Sequence, residues 1–565
     1  MARAGLCGIR ITQLVTLTAS LCLYLAASTP LDSQHARIRT TTRLVQVSVI
    51  VQDKHGQSVT GLRKEDFTLW DAAIPQKIQF FSAESTGPTA QAHLPLPSDT
   101  FTNRPERREG APTSVTVILL DGLNTQFQDQ ASAKNQIVRF LEQIHPDDHV
   151  ALYVLGERLR ILHDFTSDAR PLLRALARYK GRASPELAAE SLEGMTSASL
   201  ADEEMHITQE LQDLADQSLQ TLKDFYLVRR VEITLRSLQA VANHVARLPG
   251  RKNLLWVSAA FPLSFGDDAL DAGVWRARRQ TRSFGREIEE AVRAISNANL
   301  AVYPIDARGL VGVPALDASK STVDGLDFNR NTLDTTMWYD QLALSVGTMK
   351  TIANRTGGRV FYNSNDIFGA VRSAVEEARV TYTLGYYPSH QEWDGRFHEV
   401  RVRVKRSGLR VRHRAGYFAL ADETLGEEQR RAKLDDAAWS PLEATSIGLV
   451  AKVEPELGPG GRFLSLKITL DSRDLALRQE KGRWVGTLDF LFAQPDAEGR
   501  TLGGRFGTLD LNLTPESYRR MREGGLTVNQ RVRVESGAHE LRVVFRDRTS
   551  GAVGSVHIPL SRFLE

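Results

Sequence analysis

The 565-residue chain predicts an α/β fold: a doubly wound, mainly parallel sheet with flanking β modules and a C-terminal β-sandwich. Three observations lead there. A continuous apolar run at Val115–Leu120 suits a central strand buried on both faces, Asn253–Val257 reads as another buried strand, and Leu300–Ile305 as a further strand. Segments of helical periodicity separate them, which implies parallel strands joined by crossover helices. Both flanks carry runs that alternate apolar and polar residues, as half-buried strands do.

At this length the chain exceeds one hydrophobic core, so two to four domains are expected. Residues 1–28 read as a signal peptide: Arg3 and Arg10 precede an apolar stretch from Ile11 to Ala27, and Ala26-Ala27-Ser28 supplies small residues for cleavage. A retained anchor is the rival, and it would be the only membrane contact. Cys7 and Cys22 both lie in the leader, so the mature chain would hold neither thiol nor disulfide. The expected location is secreted, periplasmic or cell envelope. A net charge of +3 gives no global reason to expect nucleic acid as a partner.

Residues 43–85 form a small β unit, with strands in Leu44–Val51, Phe67–Trp70 and Ile78–Phe81. Residues 86–112 are proline-rich and read as a linker. Residues 113–378 form the α/β domain. Its first helix places Ala133, Ile137, Phe140, Leu141 and Ile144 on one face, and a later helix from Phe225 to Leu248 does so with Val228, Val231, Leu235, Leu238, Ala242 and Val245. The short Gly156-Glu157-Arg158 turn makes the strand after it an antiparallel edge. A polar insertion spans 312–340. Residues 379–420 return to β and, being too small to fold unaided, are expected to pair with the first unit. A linker at 421–440 and the β-sandwich at 441–565 complete the chain.

In open α/β sheets ligands bind beyond the carboxyl ends of strands, where strand order reverses. Asp121 ends the first apolar run, in Leu120-Asp121-Gly122-Leu123-Asn124-Thr125, and a hard cation there would take oxygen ligands. The strand–Asp–loop–helix opening resembles the von Willebrand factor A domain. A fuller resemblance is to secreted von Willebrand factor A-related proteins known mainly from Acidobacteria. It is carried by Val49–Asp53, Gly250–Ser258, Val302–Leu310 and Arg414–Phe418, and it covers most of the mature chain. That resemblance implies a metal-ion-dependent adhesion site reading Asp-x-Ser-x-Ser, completed by a Thr from a second loop and an Asp after the fourth strand. Asp121 and Thr125 match its first and last positions; Leu123 stands for the first Ser, and Ser258 for the later Asp. Ser184 is a loose candidate for the second-loop hydroxyl, and Asn124 and Asp306 share the rim. Two readings stay open: Mg²⁺ held by Asp121 and Thr125, or Asp121 capping its turn or the next helix.

Other constellations are weaker. His145-Pro146-Asp147-Asp148-His149 reads as a solvated turn. Arg401, Arg403, Lys405, Arg406, Arg410, Arg412 and Arg414 make a basic stripe, usually the solvated face of a sheet and less often a surface for an acidic polymer. The expectation is a non-catalytic module that binds a protein, matrix or cell-wall ligand through Asp121, Asn124, Thr125, Ser184, Ser258 and Asp306. The alternatives are an exported hydrolase using Asp121, Asp306 and Ser258, or a structural envelope protein with an inert rim.

Overall fold

The computed structural model describes residues 45–85, 96–104, 115–188, 209–248, 251–259, 285–310, 343, 345–377, 379–389, 397–419, 425–459 and 461–563. These belong to one compact unit, Thr41–Glu565. The leader (1–28) and the polar insertion (312–340) lie outside the described residues.

The central sheet has five strands. Leu300–Asp306, Lys252–Ser258, Val115–Asp121 and His149–Leu155 lie side by side and parallel, and Leu159–Thr166 closes one edge antiparallel. A parallel bridge from Ile305 to Phe361 extends the other edge. Numbered in chain order these strands stand 3-2-1-4-5, so the order reverses between Val115–Asp121 and Lys252–Ser258. Every residue of Val115–Asp121, Lys252–Ser258 and Leu300–Asp306 is buried. Helices Gln209–Val245 and Gly285–Asn297 and a helical segment at 345–356 cover one face, packing Leu235, Ile295 and Ile352 on Val117, Trp256 and Val302. Helices Phe127–Leu141, Ala169–Arg178 and Ile367–Glu377 cover the other, packing Ile137, Leu176 and Val371 on Ile118, Val257 and Tyr303. Apolar runs with no polar alternation are the consequence of that double cover.

The long helix starts at Gln209, well before the Phe225 start expected from apolar periodicity. Its added turns carry mostly exposed side chains among those described, so no buried stripe marked them in the sequence.

The first β module takes strands from both sides of the α/β domain. Val45–Gln52 pairs with Val380–Tyr386 and Arg410–His413, and Phe80–Ser85 adds to the far side of Val380–Tyr386. A second sheet joins Gly416–Phe418, Phe397–Val404, Phe67–Asp71 and Ile74–Gln76. Val47, Val49, Leu69, Leu384 and Val402 fill the space between the two sheets. The turn from Phe67–Asp71 into Ile74–Gln76 has two residues, Ala72 and Ala73, both left-handed at φ 46 and 67.

The carboxyl-terminal part has two antiparallel sheets that share one core, including Leu466, Ile468, Phe492, Val543 and Phe545. Both expected linkers need correction here. Within 86–112, Thr100–Thr102 is a strand that pairs with Leu449–Gly458. Asn103 follows it and is buried, its amide donating to the carbonyls of Ala444 and Ile447 and accepting from the Leu449 N–H. The segment is ordered by a sheet edge it joins, not by a core of its own. Within 421–440, Glu427–Trp439 is a helix that buries Leu434 and Ala438 against Leu491, Ala493 and Val544. Its charge-rich sequence hides an apolar contact of only two buried residues. Among the described residues, no helix is long and apolar enough to cross a membrane.

Candidate functional site

Asp121 ends its strand at the point where the sheet order reverses, so the topology puts a carboxylate at the expected crevice. The carboxylate is closed off: Asp121 is 2% exposed and takes five hydrogen bonds. The backbone N–H groups of Leu123 and Asn124 donate to Oδ1 at 3.1 and 2.9 Å. Asn124 Nδ2, Trp256 Nε1 and Ser258 Oγ donate to Oδ2 at 2.9, 2.9 and 2.8 Å. Burial pushes the Asp121 carboxyl above the ordinary carboxylate range, while the hydrogen bonds from Asn124, Ser258 and Trp256 pull it down.

The loop behind it is fastened on every side. Gly122 approaches the neighbouring strand closely, its N–H bonding the Leu155 carbonyl at 2.8 Å, and a side chain there would meet Tyr179, Gln130 and the Leu155 carbonyl at 3.2–3.3 Å. Leu123 enters the core beside the long helix, so the residue that departs from the adhesion-site pattern serves packing. Asn124 also donates to Thr234 Oγ1 at 3.0 Å and accepts from Arg230 Nε at 3.1 Å. Thr125 accepts the Ala259 N–H at 3.0 Å, tying the loop to the end of the Ser258 strand.

The six expected rim residues therefore divide. Asp121, Asn124, Thr125 and Ser258 meet in one network, buried instead of presented at an open rim. Asp306 is the register partner of Ser258 on the adjacent strand, but both its oxygens are taken by Arg308, through Nε at 2.9 Å and Nη2 at 2.8 Å. Ser184 sits elsewhere in hydrogen-bonding terms, bonding Glu186 at 3.1 Å and receiving the Leu187 N–H at 3.1 Å. The expected metal pair fares no better. A cation at Asp121 and Thr125 would have to displace the five donors on the carboxylate and the backbone donor on the hydroxyl.

Sequence reasoning missed Trp256, Thr234 and Arg230. Arg230 carried no signal: it lies about 110° round the helix from the centre of the Val228–Val245 apolar face, yet it is 1% exposed in the fold. Trp256 carried none, because a tryptophan in a buried strand reads as core.

The other constellations resolve plainly. His145–Asp148 is a tight turn closed by Asp148 N–H to the His145 carbonyl at 2.9 Å. The basic stripe is divided between two sheets: Arg401 and Arg403 lie on Phe397–Val404, Arg410 and Arg412 on Arg410–His413. Arg401 pairs with Glu399, Arg406 with Asp66 and Arg412 with Glu377, and Arg414 is buried.

No family model matches this chain, and no curated protein sequence does. Solved structures similar to it include an aerotolerance-related membrane protein from Bacteroides fragilis, 13% identical, with 47% of this chain and 99% of that one covered and a TM-score of 0.24. BatB, a conserved hypothetical protein from Bacteroides thetaiotaomicron, is 12% identical over 47% of this chain and 98% of its own, at a TM-score of 0.21. The VWA domain of SpRpn10 is 12% identical over 46% of this chain and 94% of its own, at 0.18. Scores this low carry no property of those proteins over to this chain.

Proposed function

We propose that the chain is an exported, non-catalytic protein-binding module whose α/β domain is of von Willebrand factor A type and works without a metal ion. The observation that carries this reading is the Asp121 carboxylate, which receives five protein hydrogen bonds at 2.8–3.1 Å where an adhesion site would hold a cation. Protein donors do there part of what a metal would do: they satisfy the carboxyl oxygens and fix the loop that carries them. The sheet order supports the domain type, since the reversal falls beside Asp121. Recognition then belongs to surfaces around the filled crevice, and the partner is an envelope protein or wall polymer.

Against the alternative of a hydrolase stands the burial of Ser258, whose 0% exposure presents no hydroxyl at the surface to a substrate.

Two measurements test the proposal. Calorimetric titration of Mg²⁺ and of Ca²⁺ into the full chain is expected to give flat traces for wild type and for Asp121→Asn alike. A pull-down from envelope extract is expected to retain the same partner with and without EDTA. A saturable heat abolished by Asp121→Asn, or a partner released by EDTA, overturns the metal-independent reading.

A further inference from the structure

The longest sheet edge among the described residues is Thr501–Leu513, thirteen residues in the carboxyl-terminal part that pair on one side only, with Arg483–Pro495. At about 3.4 Å per residue it runs roughly 44 Å. An unpaired edge presents a row of N–H and C=O groups that invites another strand, and folded proteins blunt or cover such edges.

The other long edges here are treated in that way. Phe361 bonds Asp306 and Pro304 along Leu300–Asp306, and the chain at Ala444 and Ile447 bonds Ser555 and Val553 along Val553–Pro559. On Leu159–Thr166, Asp164 Oδ1 accepts the Phe165 N–H at 2.8 Å, and His163 Nδ1 donates to the Asp164 carbonyl at 2.6 Å. On Leu526–Arg533, the amides of Gln530 and Gln494 donate to the carbonyls of Arg531 and Arg533 at 3.0 and 2.7 Å.

Only the ends of Thr501–Leu513 are held. A side chain at Gly503 would meet Glu535 Cγ at 2.6 Å, and Arg483 Nη2 donates to the Asn512 carbonyl at 2.7 Å. From Gly504 to Leu511, no backbone group bonds any described residue outside the ladder with Arg483–Pro495. Gly504, Arg505, Thr508 and Asp510 are exposed. No proline interrupts the strand, and Arg505 and Asp510 are its only charges.

We propose that this edge binds an extended polypeptide segment of a second protein, which joins the sheet as a further strand. The occupant follows from the chemistry, since donors and acceptors alternating along an open edge are matched by another extended backbone. Side chains set its pattern. Leu509 and Leu511 turn into the core between the two sheets, while Thr508 and Asp510 turn outward to Arg548 and Thr487. The added strand therefore alternates apolar residues beside Leu509 and Leu511 with polar ones beside Thr508 and Asp510, and sets a base against Asp510. This edge shares no strand with the Asp121 crevice, so the two readings stand or fall separately.

Panning a display library of random twelve-residue peptides on the full chain is expected to enrich proline-free segments of alternating apolar and polar residues. A synthetic copy of the enriched peptide should slow hydrogen exchange at alternate amides between Gly504 and Leu511. N-methylation of one alternate set of its amides should weaken binding at least tenfold, and of the other set far less, because a strand pairs through one edge. With Asp510→Lys, an exposed change, selection should exchange one base for an acid. A library that enriches nothing, a peptide that leaves those amides unprotected, equal effects of the two methylated sets, or a selection blind to Asp510→Lys each overturn the proposal. Protection of the same amides without peptide, rising with protein concentration, would mean that a second copy fills the edge, and overturns it as well.

Discussion

Two buried aspartates in this molecule are held in different ways. Asp121 draws three of its five donors from its own loop, the backbone N–H groups of Leu123 and Asn124 and the Asn124 side-chain amide. Asp71, 0% exposed, ends a strand of the first β module and is bonded by the hydroxyls of Tyr386 at 2.9 Å and Tyr417 at 2.7 Å, with His398 Nδ1 at 3.6 Å. Its partners lie more than 300 positions away along the chain. Burial and the neighbouring aspartate push both phenols up, and burial pushes the Arg414 guanidinium beside them down. One carboxylate is thus secured largely by local geometry, the other only by a completed tertiary structure.

Removing either carboxylate gauges that difference. Asp121→Ala removes the shared acceptor of these hydrogen bonds, although the Leu123 N–H keeps the Leu155 carbonyl and Asn124 Nδ2 keeps Thr234 Oγ1; a loss on the order of 4 kcal/mol is expected in urea unfolding, since each weakened buried hydrogen bond costs about 1–3 kcal/mol before relaxation. A loss under about 1 kcal/mol would show that the loop holds without its carboxylate. Asp71→Ala takes the carboxylate acceptor from both phenols, and about 2–3 kcal/mol is expected. Adding Tyr417→Phe to Asp71→Ala should cost less than Tyr417→Phe costs alone; full additivity would mean the two groups do not act together.

The turn next to Asp71 offers a gain. Ala72 and Ala73 occupy left-handed conformations that Asn-Gly adopts readily, so Ala72→Asn with Ala73→Gly should raise stability by about 1–2 kcal/mol. No change would mean the alanines carry little strain.

The smallest effect is in pH. Because burial holds the Asp121 carboxyl above its unfolded range, its contribution is complete at low pH and declines as pH rises through the folded value. Wild type should therefore lose stability relative to Asp121→Asn from about pH 4 upward. The opposite slope would mean that the five donors outweigh burial and hold the group ionised.

The contrast also explains what the sequence disclosed. Asp121 was visible because it ends an apolar run and precedes glycine, a pattern set by local chemistry. That it would be enclosed was not visible, because closure depends on where the Trp256 indole and the Ser258 hydroxyl point across the sheet. Asp71 gave no sign at all: Phe67-Thr68-Leu69-Trp70-Asp71 reads as an ordinary strand, and its partners are remote. The central strands were legible because burial on both faces leaves mostly apolar residues, with polar ones such as Lys252, Asn253, Ser258 and Asp306 at their ends. The strand at Thr100–Thr102 was not, since its order comes from the edge that receives it.

That short strand has a consequence for how the molecule is made. Thr100–Thr102 leaves the ribosome early, yet its partner strand begins at Leu449; Val45–Gln52 similarly waits for Val380–Tyr386. Two unfinished sheets must persist while the intervening several hundred residues are synthesised. Chains truncated before Ala444 lack both the strand that pairs with Thr100–Thr102 and the backbone partners of Asn103, so that sheet edge would stay unpaired.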